Sequence, residues 1–209
     1  MHTQPLLSII VVSYNTAQLT VDTLISIEKS LISDSILSKK IEIIVIDNAS
    51  NDDSVKKITA LKHTIAIPIQ LIQNTTNLGF GLANNSGITV SKGKYLLFLN
   101  SDTIVQSGAL EHLVTQFSKH EHEKNPVGIL AGNLKNQDGT PQLQGGELPT
   151  LLTLAIHMTM LDDLPIIGNW LPTTQKTGFA TMSMSDADEL VPMGWVGGTA
   201  LLTSAEVLN

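Results

Sequence analysis

Short apolar runs alternate along this chain with stretches whose apolar residues recur every three or four positions. Residues 7–12, 41–46, 67–72 and 95–99 are runs built mainly from Ile, Val and Leu. A strand with one wet face alternates apolar and polar residues, so near-continuous runs of this length predict strands buried on both faces of a parallel sheet. The intervening stretches carry the helical period. Leu24, Ile27 and Leu31 mark a helix over 16–31, Val55, Ile58 and Leu61 mark one over 51–61, and a third spans 81–91. After the fourth strand, Leu110, Leu113, Val114 and Phe117 mark a helix over 107–117, and residues 127–131 predict a fifth strand. Repeated β–α units with short links predict an α/β fold, a mostly parallel central sheet flanked by helices on both faces. Crossovers between parallel strands are right-handed, which leaves few topologies.

The rhythm then changes. Asp138-Gly139 is a turn signal. Residues 145–190 read as an irregular insertion, rich in Thr, Met and Pro, and 191–203 as a glycine-punctuated last strand. Ser204 has the chemistry of an N-cap, with Val207 and Leu208 opening a helix that stops at Asn209. A domain rarely finishes on a barely started helix, so this reading expects a chain truncated at its C-terminus.

Composition narrows the function. The chain has 209 residues and a formal net charge of −7, which disfavours nucleic acid as a partner. It contains no cysteine, so disulfides, thiolate metal sites and cysteine nucleophiles are excluded. Residues 1–5 lack the positive start of a secretory signal. Residues 148–171 are the longest apolar stretch, but Asp162, Asp163 and Pro165 interrupt it. A spanning helix needs about 20 apolar residues, so the stretch is not read as one, and peripheral membrane contact stays open. Residues 151–160 are read as core or domain contact ahead of a surface for a lipid-linked acceptor. His157 is read as a core or interface residue, and His120 and His122 as solvated, since residues two apart face different ways on a helix.

Ligands of open parallel sheets bind at the carboxyl ends of the strands. Four polar clusters fall there: Ser13-Tyr14-Asn15, Asp47-Asn48-Ala49-Ser50, Asn77-Leu78-Gly79-Phe80-Gly81 and Asn100-Ser101-Asp102. Each cluster alone is equally compatible with helix capping. Asp47 and Asp102, however, stand at their strands, several residues before the next helix. A carboxylate at such an end can hold a hard cation. The Gly79-x-Gly81 pair follows the third strand, whereas a dinucleotide fingerprint follows the first, and no phosphate-loop motif is present.

In order and spacing, these blocks resemble family 2 glycosyltransferases of the GT-A fold, most nearly the rhamnosyltransferase-like branch. Gly108-Ala109-Leu110-Glu111, Asp138-Gly139-Thr140 and 194–200 extend the likeness. The resemblance implies transfer of a sugar, rhamnose for that branch, from a nucleotide-diphosphate donor to a saccharide or lipid-linked acceptor in cell-surface polysaccharide synthesis. Ser13 and Tyr14, with Asn15 and Asn48, would line the base and ribose pocket, and Asp47 would accept from the base imide or the ribose. Asn77, Gly79 and Asn84 would close the nucleoside site. Ser101 and Asp102 would face the diphosphate. Asp102 matches the last acid of the family's metal-binding D-x-D motif and would hold Mg²⁺ or Mn²⁺, while Asn100 departs from its first acid. Gly197, Gly198 and Thr199 match a stretch near the transferred sugar, and Trp195 is either a sugar platform or core.

The same resemblance divides the domain into a nucleotide-binding part, 1–132, and a partial acceptor-side part, 133–209. It places the general base in an acidic motif a few tens of residues after Gly198, which puts the base beyond Asn209, and no acid of this chain matches it. Asp186, Asp188 and Glu189 precede that glycine. The fragment is therefore expected to hold no catalytic residue of its own, to bind donor and to transfer sugar slowly or not at all. The family works in the cytoplasm, at the inner face of the plasma membrane. Two other readings compete: a non-catalytic nucleotide-sugar-binding module, and a sugar nucleotidyltransferase. The latter needs a glycine-rich basic loop after the first strand, which Ser13-Tyr14-Asn15-Thr16 is not.

Overall fold

The computed structural model describes residues 4–161, 164, 170–172 and 190–208. Four strands, β1 (Leu7–Ser13), β2 (Ile41–Asp47), β3 (Ile69–Gln73) and β4 (Tyr95–Asn100), alternate with helices α1 (Ala17–Ser30), α2 (Ser54–Leu61) and α3 (Phe80–Val90). Helix α4 (Ala109–His120) and β5 (Ile129–Ala131) follow, then β6 (Leu134–Lys135), β7 (Pro141–Gln142), β8 (Gly145–Gly146), α5 (Leu151–Met158), β9 (Trp195–Val196) and β10 (Ala200–Ser204). The main sheet has the order β3-β2-β1-β4-β10-β5. β1 pairs in parallel with β2 and β4, and β2 with β3, while β10 runs antiparallel to β4. The chain divides into two compact units, 1–130 with 198–209, and 131–197.

The register explains why the strand runs are continuous. Ile10 lies beside Ile44 and Phe98. On that face, buried Ile10, Ile44, Ile46 and Leu96 pack with Ala83 of α3. Neighbouring residues point to the opposite face. There the Ser13 hydroxyl meets Thr20 of α1 at 2.9 Å, and the Tyr95 ring meets Phe117 of α4 edge-on, with centroids 5.5 Å apart. Ile9, Ile10 and Val11 are all fully buried, so neither face is wet. Each such side chain contributes about 1.5–3 kcal/mol on burial. The chain moves outward from β1 to β3, then returns to place β4 on the other side of β1. A crevice therefore opens at the carboxyl ends of β1 and β4, where the winding reverses.

Several boundaries differ from the sequence pattern for identifiable reasons. Helix α2 begins at Ser54 instead of residue 51, because Asp52 accepts from the Ser54 amide at 3.0 Å and its hydroxyl at 2.5 Å, closing a turn first. β3 starts after Pro68, which has no N–H for a ladder. The last strand divides into β9 and β10 around Gly197-Gly198. Ser204 ends β10, paired with Tyr95, and its hydroxyl accepts from the Val207 amide at 3.4 Å as an N-cap does, but residues 205–208 form a turn instead of a helix. The Asp138-Gly139 signal does close a hairpin between β6 and β7, with Gly139 at φ 84°.

The stretch 145–190 contains order: β8 pairs with β9, and α5 opens on a reciprocal capping box between Thr150 and Thr153. Core placement fits Ile156 there, at 6% exposure, but Leu151 and Met158 are more than four-fifths exposed, and His157 is exposed as well. Asp186, Asp188 and Glu189 lie outside the described residues. So does Asn209, the residue beyond which the resemblance places the base. His120 pairs with Glu123 at 3.0 Å, and His122 stands 3.6 Å from Glu121.

Candidate functional site

The crevice is lined by the turns that leave β1, β2, β3 and β4, all within the first unit. Their side chains bond across to one another. At the end of β1, Asn15 adopts φ 55°, a conformation Asn tolerates better than most residues. Its amide N–H donates to the Ser50 hydroxyl at 3.0 Å, and its side-chain oxygen accepts from the Asn51 amide at 2.8 Å. The Asp52 carboxylate accepts from the Ala17 amide at 3.1 Å. The Ser54 hydroxyl, helped by the Ser54 and Ala17 amides, holds that carboxyl below the usual carboxylate range. The β1 and β2 turns are thus stitched together by residues at both ends.

Asp47 is the most unusual group of the crevice. It is 2% exposed, and its Oδ2 accepts from the Ser50 amide at 3.1 Å. Its Oδ1 is buried with no protein partner. A buried acceptor left unpaired costs about 1–3 kcal/mol. An N–H or O–H brought against this atom, at the carboxyl end of β2, would remove that cost.

Asn48 is equally buried, but its amide is used internally, toward Asn74, Asn77, Leu78 and Gly79. Asn77 accepts from Asn48 at 2.8 Å and from the Gly79 amide at 2.9 Å through one oxygen, which leaves its NH2 group on the exposed side. Gly79 has φ 78°, and a side chain there would meet nothing within 4 Å. Its glycine is required by backbone conformation, and the space above it is open. Tyr14 is 44% exposed, an aromatic face at the rim.

Other expected site residues have local roles. The Ser13 hydroxyl is fully buried, bonded to Thr16 at 3.2 Å and Thr20 at 2.9 Å. Ser101 reaches Thr16 at 3.2 Å, tying the end of β4 to the start of α1. The Asn84 amide donates to the Phe80 carbonyl within α3. Asp102 is exposed just past β4, two residues after Asn100. The Thr199 carbonyl accepts from the Asn100 amide at 2.9 Å, and Gly198 faces Phe80, so these two residues stand beside the β4 end. Gly197 and Trp195 belong to the second unit: the Gly197 amide donates to the Gln144 carbonyl at 2.6 Å, and Trp195 pairs with Gly146.

Sequence reasoning does not single out Thr16, Asp52 or Asn74, each of which carries a link between turns. Their one sequence signal is short polar type between a strand and a helix.

The profile of Glycosyl transferase family 2 matches residues 8–165, which takes in β2, β3, β4, nearly all of β1 and the crevice turns. The chain belongs to this family. Membership sets aside the sugar nucleotidyltransferase alternative. The chain is 35% identical over 182 residues to the Escherichia coli UDP-Glc:alpha-D-GlcNAc-diphosphoundecaprenol beta-1,3-glucosyltransferase WfaP, covering 84% of this chain and 68% of that protein. It is 29% identical over 133 residues to the poly(ribitol-phosphate) beta-glucosyltransferase of Bacillus spizizenii, covering 64% of this chain and 20% of that enzyme. An uncharacterized glycosyltransferase of Haemophilus influenzae is 33% identical over 118 residues, of which the chain spans 34%. This family member thus covers well under half the length of some of the relatives it matches.

Solved structures agree on the fold. S. aureus TarS 1–349 in complex with UDP-GlcNAc superposes with a TM-score of 0.54 at 21% identity, covering 70% of this chain and 38% of that one. The mannosyltransferase PcManGT from Pyrobaculum calidifontis, in complex with GDP-Man and Mn²⁺, gives 0.52 at 23%, covering 64% and 36%. The α/β architecture with its mostly parallel sheet is that of GT-A glycosyltransferases.

Proposed function

We propose that residues 1–209 form the donor-binding part of a glycosyltransferase that uses a uridine or thymidine diphospho-sugar. The observation that carries this reading is Asp47 Oδ1, a buried acceptor without a protein partner at the carboxyl end of β2, the strand beside β1. Uracil and thymine present an imide N–H to such an atom. The Tyr14 face and the Asn77 NH2 group flank the nucleoside, and Gly79 admits it against bare backbone. The diphosphate runs toward Ser101 and Asp102, and the sugar toward Gly198 and Thr199.

The residues at the β4 end suit a hard divalent cation bound together with the donor. Among the described residues no group of three His, Cys, Asp or Glu converges, so Asp102 alone cannot complete a shell of about six oxygens. Diphosphate oxygens and water must supply the rest. Asp102 would hold Mg²⁺ or Mn²⁺ in this way, and the bound ion would supply positive charge against the leaving diphosphate. In the transfer, the bond between the anomeric carbon and the diphosphate oxygen breaks as an acceptor hydroxyl oxygen bonds that carbon. The hydroxyl proton goes to a base, and no residue up to Asn209 matches the family's base motif.

The acceptor is a saccharide or a lipid-linked saccharide, in keeping with the diphosphoundecaprenol named for the WfaP relative. Glucose and rhamnose are the leading donor sugars, one from that relative and one from the branch the motifs resemble. On this reading the protein works at the cytosolic face of a membrane, where nucleotide sugars are available. Among the described residues no helix is long and apolar enough to cross a membrane.

Thermal unfolding with UDP, dTDP, GDP and CDP, each with and without Mn²⁺, tests the reading. A ligand at a hundredfold excess over its Kd adds about 2.7 kcal/mol, roughly 5–10 °C for a chain of this size. UDP or dTDP should give the largest shift, and Asp102→Ala should remove its Mn²⁺-dependent part. No shift with any nucleotide, in a sample that melts cooperatively, would refute it.

A further inference from the structure

Asn48 follows the last residue of β2 and is 2% exposed. Its side-chain oxygen accepts from the Leu78 amide and from the Asn74 NH2 group, both at 3.0 Å. Its own NH2 donates to Asn77 Oδ1 at 2.8 Å and, more weakly, to the Gly79 carbonyl at 3.4 Å. Leu78 N–H can only donate and Gly79 C=O can only accept, so these two partners fix which way the amide points. An asparagine amide offers two donor hydrogens and two acceptor lone pairs. All four are spent on the turn between β3 and α3. The backbone N–H of Asn48 is spent as well, on the Ser13 carbonyl at 2.8 Å.

That turn needs an outside anchor. Residues 75–80 are exposed, so packing does little to hold them. Gly79 sits at the N-cap of α3 without any side-chain cap. Apart from Asn48, the turn is tied back to the β2 end by the Asn74 amide, which donates to the Asp47 carbonyl at 2.8 Å. The placement of Asn77 and Gly79, ahead of the core-packed Ala83, thus depends chiefly on one buried amide.

We propose that Asn48 is a positioning residue for the donor site. It touches no donor atom; it holds the 74–79 turn so that the Asn77 NH2 group and the Gly79 backbone stand ready against the nucleoside. The affinity part of this proposal rests on the donor-site reading above, whereas the anchoring part does not.

Asn48→Asp separates the two functions of the amide. A carboxylate of the same size still accepts from Leu78 and Asn74, but at pH 8 it turns an oxygen on Asn77 Oδ1 and the Gly79 carbonyl. Asn48→Ala removes all four bonds and serves where the aspartate variant folds poorly. Amide hydrogen exchange without nucleotide should show residues 74–79 exchanging about tenfold faster or more in the variants, with the β1 and β2 amides unchanged. UDP titration with Mn²⁺ should show Kd raised by about tenfold or more. Unchanged exchange of 74–79 in folded Asn48→Ala overturns the anchoring. Faster exchange with unchanged UDP affinity overturns the positioning role. A wild-type chain that binds no nucleotide sinks the donor-site reading, while the exchange data still decide whether Asn48 holds the turn.

Discussion

Asp47→Asn isolates the single atom on which the donor reading stands. The replacement keeps the size of the side chain, and one oxygen can still accept from the Ser50 amide as Oδ2 does at 3.1 Å. The NH2 group then occupies the position of Oδ1, which has no protein partner. Two consequences follow for a uracil ring. It loses a charge-assisted hydrogen bond, worth about 1.5–3 kcal/mol, and its imide N–H now faces another N–H. At about 1.4 kcal/mol per decade, UDP should bind roughly 10–150-fold more weakly. Cytosine presents an unprotonated ring nitrogen where uracil has its imide N–H, so it accepts from the new NH2 group. The variant should therefore bind CDP better relative to UDP than the wild type does. Calorimetric titration of both proteins with UDP and CDP at fixed Mn²⁺ measures this, with thermal unfolding as the check on folding. A cooperatively folded variant that binds UDP within about twofold of wild type, with the UDP preference intact, refutes the assignment of Oδ1 to the base.

Two further predictions concern the scaffold. A Cβ at Gly93 would stand 2.6 Å from the Ser8 backbone nitrogen and 2.8 Å from the Tyr95 carbonyl oxygen, whereas one at Gly87 would stand 2.6 Å from the Ile10 side-chain methyl Cγ2. Backbone cannot give way as a methyl can, so in urea unfolding Gly93→Ala should cost about 3 kcal/mol and Gly87→Ala about 1, the latter offset by helix propensity; the reverse order would refute the packing argument. Tyr95→Phe removes a buried hydroxyl that donates to Glu121 at 2.7 Å and accepts from Lys94 at 2.8 Å, and should cost about 1–2 kcal/mol. Burial pushes the Glu121 carboxyl up, but the bonds from Lys94 and Tyr95 outweigh it and hold the group below its ordinary value. Its stabilisation is therefore present at neutral pH and lost as pH falls through the folded-state value, so melting temperatures of Tyr95→Phe should fall less steeply in acid than those of wild type.

The β–α rhythm was legible because both of its causes are local. Ile and Val runs such as 41–46 declare a strand with no wet face, and the spacing of Leu110, Val114 and Phe117 declares a helix with one buried side. The four polar clusters at the strand ends were legible for a related reason, since Asn, Asp and Ser mark the points where a parallel strand yields to a turn. What the local pattern could not assign was the direction of each polar side chain. Ser13 and Tyr14 are neighbours with equal claims in sequence, yet one hydroxyl is buried against Thr20 and the other ring is at the rim. Asp47 and Asn48 are likewise adjacent and equally buried, and only the fold gives one an unpaired oxygen and the other no free valence.

The helical stretch 151–158 misled in the opposite sense. Its composition reads as core, while its side chains, buried Ile156 and half-buried Thr153 excepted, are exposed. Hydrophobicity reports the tendency to leave water, and only the surrounding structure decides which residues are covered. The sequence by itself determined the family, the succession of strands and helices, and the residue types at the crevice, because each follows from the order of side chains along the chain. The tertiary structure alone decided which of those polar atoms bond to each other across turns some 30 residues apart, and that Asp47 Oδ1 is left without a protein partner, because hydrogen-bond satisfaction is settled among neighbours in space.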